Sequence, residues 1–510
     1  MKKILLSIVT IATISIAGGE FTNMDNSYDE SLRAEVEALK AEVAELRKAS
    51  ESKGDKGDKG NSKLIKKIKK LTKKINAVKA HDAKDNIKWS VDLRTALDSI
   101  EYKMADGSTK ENNDLFSNRL WLNMAYSPTS NVIFKGQLGY NKAYGADMNN
   151  GRGQGGYDQF DWITNESLTD DTIKLRQAYW LYLGKDFLGT GIPWTASLGR
   201  RPSTTGFLSH LREDDNPQSP LGHNIDVEFD GGSALFKLEN ITGVSGMSFK
   251  ICAGQGGTNA QARFANNDTS YAGDSTTKMD DIRLAGFIFV PYDNGQIKVK
   301  TNVFKAFNLP GMDMGTNGLM PGLSSKGDQV GGVVSVMIDG LSDDMDGSEF
   351  LYNTKLFASY AVSETQPDTG KMMLGSVDDE RGDSYWIGTQ VPVSFLGGKF
   401  GLEYNHGSKY WRSFTYAEDT MIGSKLAVRG DAIEAYYTQP LTKSLSAQIR
   451  YTKINYDYSG SNAFFGDDGN PMSISDIKAG AAAGNPMMQG VSGQIVEEAQ
   501  DIRAYIRYRF

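Results

Sequence analysis

The last ten residues, Asp501-Ile-Arg-Ala-Tyr-Ile-Arg-Tyr-Arg-Phe510, decide the fold. One set of alternate residues is apolar and comprises Ile502, Ala504, Ile506, Tyr508 and Phe510. The other set is mostly basic and comprises Asp501, Arg503, Tyr505, Arg507 and Arg509. A period of two places successive side chains on opposite faces of a β-strand. The chain is therefore expected to end in a strand with one apolar face and one charged face.

The same alternation recurs in several strands between residue 88 and the C-terminus. Apolar faces are predicted at Leu120, Leu122, Met124 and Tyr126; at Val132, Phe134, Leu138 and Tyr140; at Ile282, Leu284, Gly286, Ile288 and Val290; and at Ile297, Val299 and Val303. Tight turns alternate with long connections at 143–172, 201–223, 255–280, 306–329, 362–383, 407–429 and 459–499. Short turns on one side and long loops on the other are typical of a transmembrane antiparallel β-barrel. We predict an all-β barrel over 88–510 with about 16 or 18 strands, because residues 224–246 hold either one crossing or three.

The N-terminus indicates export. Lys2 and Lys3 precede an apolar run that ends near Ala17, so a cleaved signal peptide is predicted at 1–17. The single cysteine, Cys252, cannot form an internal disulfide and is expected to be a small strand residue. A mean hydropathy of −0.43 suits a barrel in which half of each strand faces a wet lumen.

Residues 20–79 predict a helical, coiled-coil region in the periplasm, followed by a linker at 80–87. Two seams with a/d spacing comprise Leu32, Val36, Leu39, Val43 and Leu46, then Leu64, Ile68, Leu71, Ile75 and Val78. A Gly-rich joint at 54–60 separates them, and the second helix is rich in lysine. The helices could form a hairpin, a charged spacer, a periplasmic anchor or the seam of a homo-oligomer, with a trimer favoured and a dimer as the alternative.

Four segments carry a family resemblance: residues 118–126, 192–202, 285–292 and 403–412. Together they resemble a bacterial family of porin-like outer-membrane β-barrel proteins that bears only a domain-of-unknown-function label. The resemblance covers about 88–510 and implies an outer-membrane barrel. It assigns no catalytic or binding residue.

Motifs for catalysis, cofactors and nucleic-acid binding do not emerge from the sequence. The four histidines are His81, His210, His223 and His406, and none adjoins a Gly-x-Ser-x-Gly nucleophile turn. His210 and His223 flank Glu213, Asp214 and Asp215, but we expect a solvated external loop there rather than a metal site. The expectation is a protein that is not an enzyme and uses no cofactor or metal.

The strand faces assigned to the lumen are basic. Pore-lining candidates are Arg94, Arg119, Lys135, Arg176, Arg283, Lys298, Lys300, Arg450 and Arg503, with Lys250, Lys355, Arg507 and Arg509 on the same faces. The acids on these faces are Asp92, Glu403, Glu434 and Asp501. Wall charges act at close range, so an anion-preferring outer-membrane porin for small hydrophilic solutes is predicted. The alternative is a structural outer-membrane protein that tethers the envelope through its N-terminal coiled coil.

The C-terminal Phe510, with Tyr508 and Ile506, resembles the signal that the barrel-assembly machinery recognises. With the signal peptide, it predicts insertion among outer-membrane lipids.

Overall fold

The computed structural model describes residues 87–144, 172–201, 205–263, 269–273, 279–313, 322–342, 348–415, 420–463 and 469–510. The predicted signal peptide, the coiled-coil region and all of the linker but Ile87 lie outside these residues. The described residues form a closed antiparallel β-barrel in which neighbouring strands follow chain order.

Sixteen strands form the barrel wall in the part of the chain that the structure describes. They are β1 (Lys88–Met104), β2 (Thr109–Thr129), β3 (Val132–Ala143), β4 (Lys174–Gly184), β5 (Trp194–Arg201), β6 (Phe229–Lys237), β7 (Ser248–Gly257), β8 (Ile282–Asp293), β9 (Ile297–Asp313), β10 (Gly322–Asp339), β11 (Lys355–Pro367), β12 (Arg381–Val393), β13 (Gly398–Gly407), β14 (Gly430–Pro440), β15 (Leu445–Tyr456) and β16 (Val496–Arg509). β1 and β16 close the barrel, with Arg94 opposite Arg507. Closure leaves no edge strand unpaired.

The smaller of the two predicted strand numbers is correct. Residues 224–246 contain one crossing, β6, because 224–228 belong to a buried connection instead of a strand. The connection predicted at 306–329 is mostly strand, since β9 continues to Asp313 and β10 begins at Gly322.

Short helices occupy several connections. They are α1 (His210–Glu213), α2 (Glu239–Thr242), α3 (Glu349–Tyr352), a 3-10 helix (Lys425–Ala427), α4 (Ile474–Ala482) and α5 (Pro486–Ser492). Ser473 and Asn485 cap α4 and α5 by accepting backbone N–H groups from the first turn. Within the described residues, no helix is long and apolar enough to cross a membrane.

The chain divides into two compact units. One comprises Trp89–Met124 and Phe134–Phe510 and contains most of the barrel wall. The described part of the other comprises Ile87, Lys88 and residues 125–133, which include the β2–β3 turn.

The two faces of the wall differ in exposure as the alternation predicts. On β16, Tyr508 is 41% exposed, whereas Arg503 and Arg507 are at most 2% exposed. Leu93 on β1 and Ile449 on β15 are likewise exposed apolar residues. Isolated exposed apolar residues are common in soluble proteins, but a band of them around a closed barrel is typical of a lipid-facing surface.

The predicted orientation of β8 is wrong. Ile282, Leu284 and Ile288 are at most 9% exposed and pack in apolar clusters inside the barrel. The side chain of Arg283 points the other way, is 64% exposed and pairs with Asp281 at 3.0 Å. β8 carries apolar residues on both faces, so alternation alone cannot distinguish the lipid face from the lumen face. Arg283 is therefore not a lumen residue.

Candidate functional site

The connection between β5 and β6 folds into the barrel. We call its described part, residues 205–228, the inward loop. Backbone carbonyls of α1 accept hydrogen bonds from glutamines on two separate strands of the wall: Gln390 Nε2 donates to Leu211 O at 3.0 Å, and Gln448 Nε2 to Arg212 O at 2.8 Å. These bonds tie the backbone of α1 to the wall and give its buried carbonyl groups hydrogen-bond partners. The expectation of a solvated external loop here is wrong.

The inward loop places a carboxylate among the basic residues of the wall. Guanidinium nitrogens of four arginines lie within 4.0 Å of the Glu213 carboxylate: Arg212 (3.1 Å), Arg450 (3.1 Å), Arg94 (3.7 Å) and Arg507 (3.9 Å). The Glu213 side chain is 2% exposed. A charge this deeply buried requires opposite charges around it, so Glu213 and the arginines hold each other in place.

The tip of the inward loop continues this pairing. Asp214 accepts a hydrogen bond from Lys399 at 2.6 Å, and Asp215 lies 2.9 Å from Arg507 and 3.0 Å from Arg509. Burial raises the pKa of Asp214, but the bond and charge of Lys399 outweigh it and leave that pKa below its usual value. Burial raises the pKa of Asp215 above its usual value despite the nearby Arg507.

A second connection, between β13 and β14, also enters the lumen. Lys425 Nζ lies 2.6 Å from Glu403 and also pairs with Glu434. Arg212 of the inward loop lies 3.3 Å from the same Glu434. The backbone N–H of Asp226 donates to Phe414 O at 2.5 Å. The two connections therefore support each other as well as the wall.

Both histidines of the inward loop are buried. His223 contacts Ser359 Oγ at 2.8 Å and Ser384 Oγ at 3.0 Å through its two ring nitrogens. Burial lowers the pKa of His223 to about 3. Burial, followed by the charge of Lys300, lowers the pKa of His210 to about 4. Both rings are therefore neutral near pH 7. No group of His, Cys, Asp and Glu suited to a metal ion occurs in the part of the chain that the structure describes.

Apolar side chains of the inward loop pack against the lumen face of the wall. Phe207, Leu208, Leu211 and Leu221 form one cluster with residues of β8, β10, β11 and β12, including Ile288, Val333, Phe357 and Trp386. This cluster explains why β8 is apolar on its inner face. Four apolar residues in a connection that is otherwise largely polar are a sequence signal for an inward loop, and strand alternation does not reveal it.

The predicted pore-lining residues fall into two groups. Most arginines are buried beside acids: Arg176 lies 2.9 Å from Glu228, Arg503 lies 2.5 Å from Asp98, and Arg119 lies 3.6 Å from Asp92. Arg94 and Arg450 join Glu213. Glu228, Asp98 and Glu213 were not among the predicted lumen acids.

The second group, Lys135, Lys298 and Lys300, is less buried than these arginines. Lys298 and Lys300 lie on the face of β9 that carries Asn302, and the Lys300 ammonium lies 4.4 Å from the Phe207 ring centroid. Lys135 on β3 is exposed. Arg201 and Lys250 also face the lumen, where they border a cavity that opens to solvent.

Several solved structures of outer-membrane proteins are similar to the chain at low sequence identity. No curated protein matches the chain. The anion-selective porin from Comamonas acidovorans is 11% identical, with 83% of this chain and 99% of that chain covered and a TM-score of 0.45. Pseudomonas putida OprB is 13% identical, with 85% and 96% covered and a TM-score of 0.45. OmpT of Vibrio cholerae, in its trimer form, is 10% identical, with 83% and 99% covered and a TM-score of 0.41.

The resemblance seen in the sequence is confirmed by a family model that covers most of the barrel. The model matches residues 109–510, from the start of β2 to the last residue. The chain belongs to the family described as "Protein of unknown function (DUF3373)".

Proposed function

We propose that this protein is an outer-membrane channel for small anionic solutes whose lumen is narrowed by the inward loop. The observation that carries the proposal is the uneven distribution of lumen charge. Arg94, Arg176 and Arg450 are paired with carboxylates of the inward loop. By contrast, no carboxylate of the described residues lies within 4.0 Å of the charged groups of Arg201, Lys250, Lys298 or Lys300.

The source of the anion preference differs from the one the sequence suggested. The sequence predicted a broadly basic lumen wall. Much of that positive charge is neutralised by acids of the inward loop, namely Glu213, Asp214, Asp215 and Glu228. The remaining positive charge belongs to Arg201 on β5, Lys250 on β7, and Lys298 and Lys300 on β9. Fixed charges that line a narrow aqueous path select the ion of opposite sign at close range.

Reversal potential across a KCl gradient in planar bilayers tests the proposal. The wild-type channel should prefer Cl⁻, and the preference should fall towards none in the double variant Lys298→Gln with Lys300→Gln. Arg283→Gln is the matched control because Arg283 lies on the adjacent strand, faces outward and pairs with Asp281. A K⁺ preference in the wild type, or an equal loss in the control, would contradict the proposal.

A second candidate is a structural outer-membrane protein that tethers the envelope through residues 20–79. Burial of the lumen favours it: Trp386, Arg450 and Arg503 face inward and are at most 1% exposed. Water would reach such side chains in a wide open channel. Absence of any conductance from correctly folded protein would support this candidate over the channel.

A further inference from the structure

The cavity beside Arg201 and Lys250 lies between the inward loop and the wall. Its loop side is formed by Gln218, Ser219, Pro220 and Ile225. Its wall side includes Tyr179, Ser233, Cys252 and Asn302 from β4, β6, β7 and β9. The cavity is thus enclosed by the C-terminal half of the inward loop on one side and by neighbouring strands of the barrel wall on the other.

The two charged side chains that line the cavity are both cationic, and no Asp or Glu among the described residues lines it. Lys250 is 8% exposed, and its ammonium donates to Ser219 Oγ at 2.7 Å. The Arg201 guanidinium donates to Ser197 Oγ and lies 4.5 Å from the Tyr179 ring centroid. Among the described residues, neither cation has a carboxylate within 4.0 Å. Buried charges are ordinarily paired, and every other lumen arginine described above has an acid beside it.

Much of the remaining lining is apolar, and one polar side chain carries a buried acceptor without a partner in the described part of the chain. Phe229, Leu284, Ile288 and Phe304 line the cavity. Asn302 Oδ1 is buried without a hydrogen-bond partner among the described residues. A hydrated inorganic ion would leave the apolar surface of the cavity without a partner. A molecule with a negative charge, an apolar body and a hydroxyl or ammonium donor would match all three features.

We propose that this cavity binds small organic carboxylates of that kind, such as aromatic or branched hydroxy acids. Arg201 and Lys250 would pair with the carboxylate, the apolar lining would hold the body, and Asn302 would accept the hydroxyl hydrogen bond. The site deepens the proposed channel function, since it names the class of anion that the lumen accommodates.

Cys252 provides the test, because it lines the cavity and is the only cysteine in the chain. Full-length protein in liposomes is labelled with an anionic ethylsulfonate or a cationic trimethylammonium methanethiosulfonate. Each rate is normalised to that of a free thiol. The anionic reagent should react at least about tenfold faster, as expected where fixed charge concentrates a ligand. Phenyllactate should slow labelling, whereas phenylethanol, which lacks the carboxylate, should not.

Variants identify the residues responsible. Lys250→Gln and Arg201→Gln should each reduce the preference for the anionic reagent and the protection by phenyllactate. Lys250→Arg should keep both, and Arg283→Gln, with its outward side chain, should leave both unchanged. Heat-modifiability on gels verifies that each variant has folded.

Equal normalised rates, no labelling by either reagent, or protection that survives Lys250→Gln would overturn the site. Reversal potential of the same protein distinguishes this result from failure of the channel proposal. If phenyllactate protects Cys252 but the protein shows no Cl⁻ preference, the binding site is supported and the anion channel is rejected. If the protein prefers Cl⁻ but phenyllactate gives no protection, the channel is supported and the binding site is rejected.

Discussion

Replacing Glu213 with glutamine should release the inward loop from the lumen. The substitution keeps the shape of the side chain but removes the charge that Arg94, Arg450 and Arg507 surround. Removing one partner of a buried ionic cluster costs about 3–5 kcal/mol. Since about 1.4 kcal/mol changes an equilibrium tenfold, the ratio of released to docked loop should rise roughly 100- to 4000-fold.

Single-channel recording and limited trypsin digestion measure this change. Glu213→Gln should show larger or more frequent open states than the wild type. Trypsin should cleave after Arg212, whose side chain is 4% exposed when the loop is docked. Asp379→Asn is the matched control because Asp379 is an exposed loop carboxylate. If Glu213→Gln folds with unchanged conductance and resists trypsin, the ion pairs do not hold the loop and the reasoning is refuted.

Three further predictions concern pH, assembly and the N-terminal region. In the docked loop the pKa of His210 is about 4 and that of His223 about 3, both below the ordinary 6.5. The neutral rings therefore stabilise the docked loop fully above pH 6.5, and this stabilisation is lost as the pH falls towards 4. Trypsin cleavage after Arg212 should rise on acidification, and less so in His223→Gln. Phe510→Asp should leave the protein unassembled and not heat-modifiable, whereas Phe510→Tyr should assemble. The backbone N–H and C=O of Phe510 pair with Val91 in the wild type, and neither substitution removes these groups, so a normal barrel in Phe510→Asp would reject the assembly-signal hypothesis. Protein that starts near residue 84 should still form the barrel but lose oligomer stability or periplasmic attachment, as measured by native gels and fractionation; failure to fold would mean that the helices are part of the barrel.

Alternation of apolar and charged residues correctly predicted the inward and outward faces of a strand where the two faces differ in chemistry. On β16, Ile506 and Tyr508 face outward, while Arg503 and Arg507 face inward, as the sequence indicated. It failed on β8, because the inward loop offers that strand an apolar partner inside the barrel. Which face of such a strand points into the lumen then depends on the residues that pack against it, and these residues lie far away in the chain.

The sequence by itself determined the antiparallel barrel, its approximate size and the direction of most strands. These properties follow from local periodicity and from turn lengths, and both are written in consecutive residues. Only the tertiary structure decided what occupies the lumen. The contacts of Glu213 with Arg94, Arg450 and Arg507 join residues separated by more than one hundred positions in the sequence. No local pattern encodes such pairs, because a charged connection looks alike in sequence whether it extends into solvent or folds inward to neutralise a basic wall.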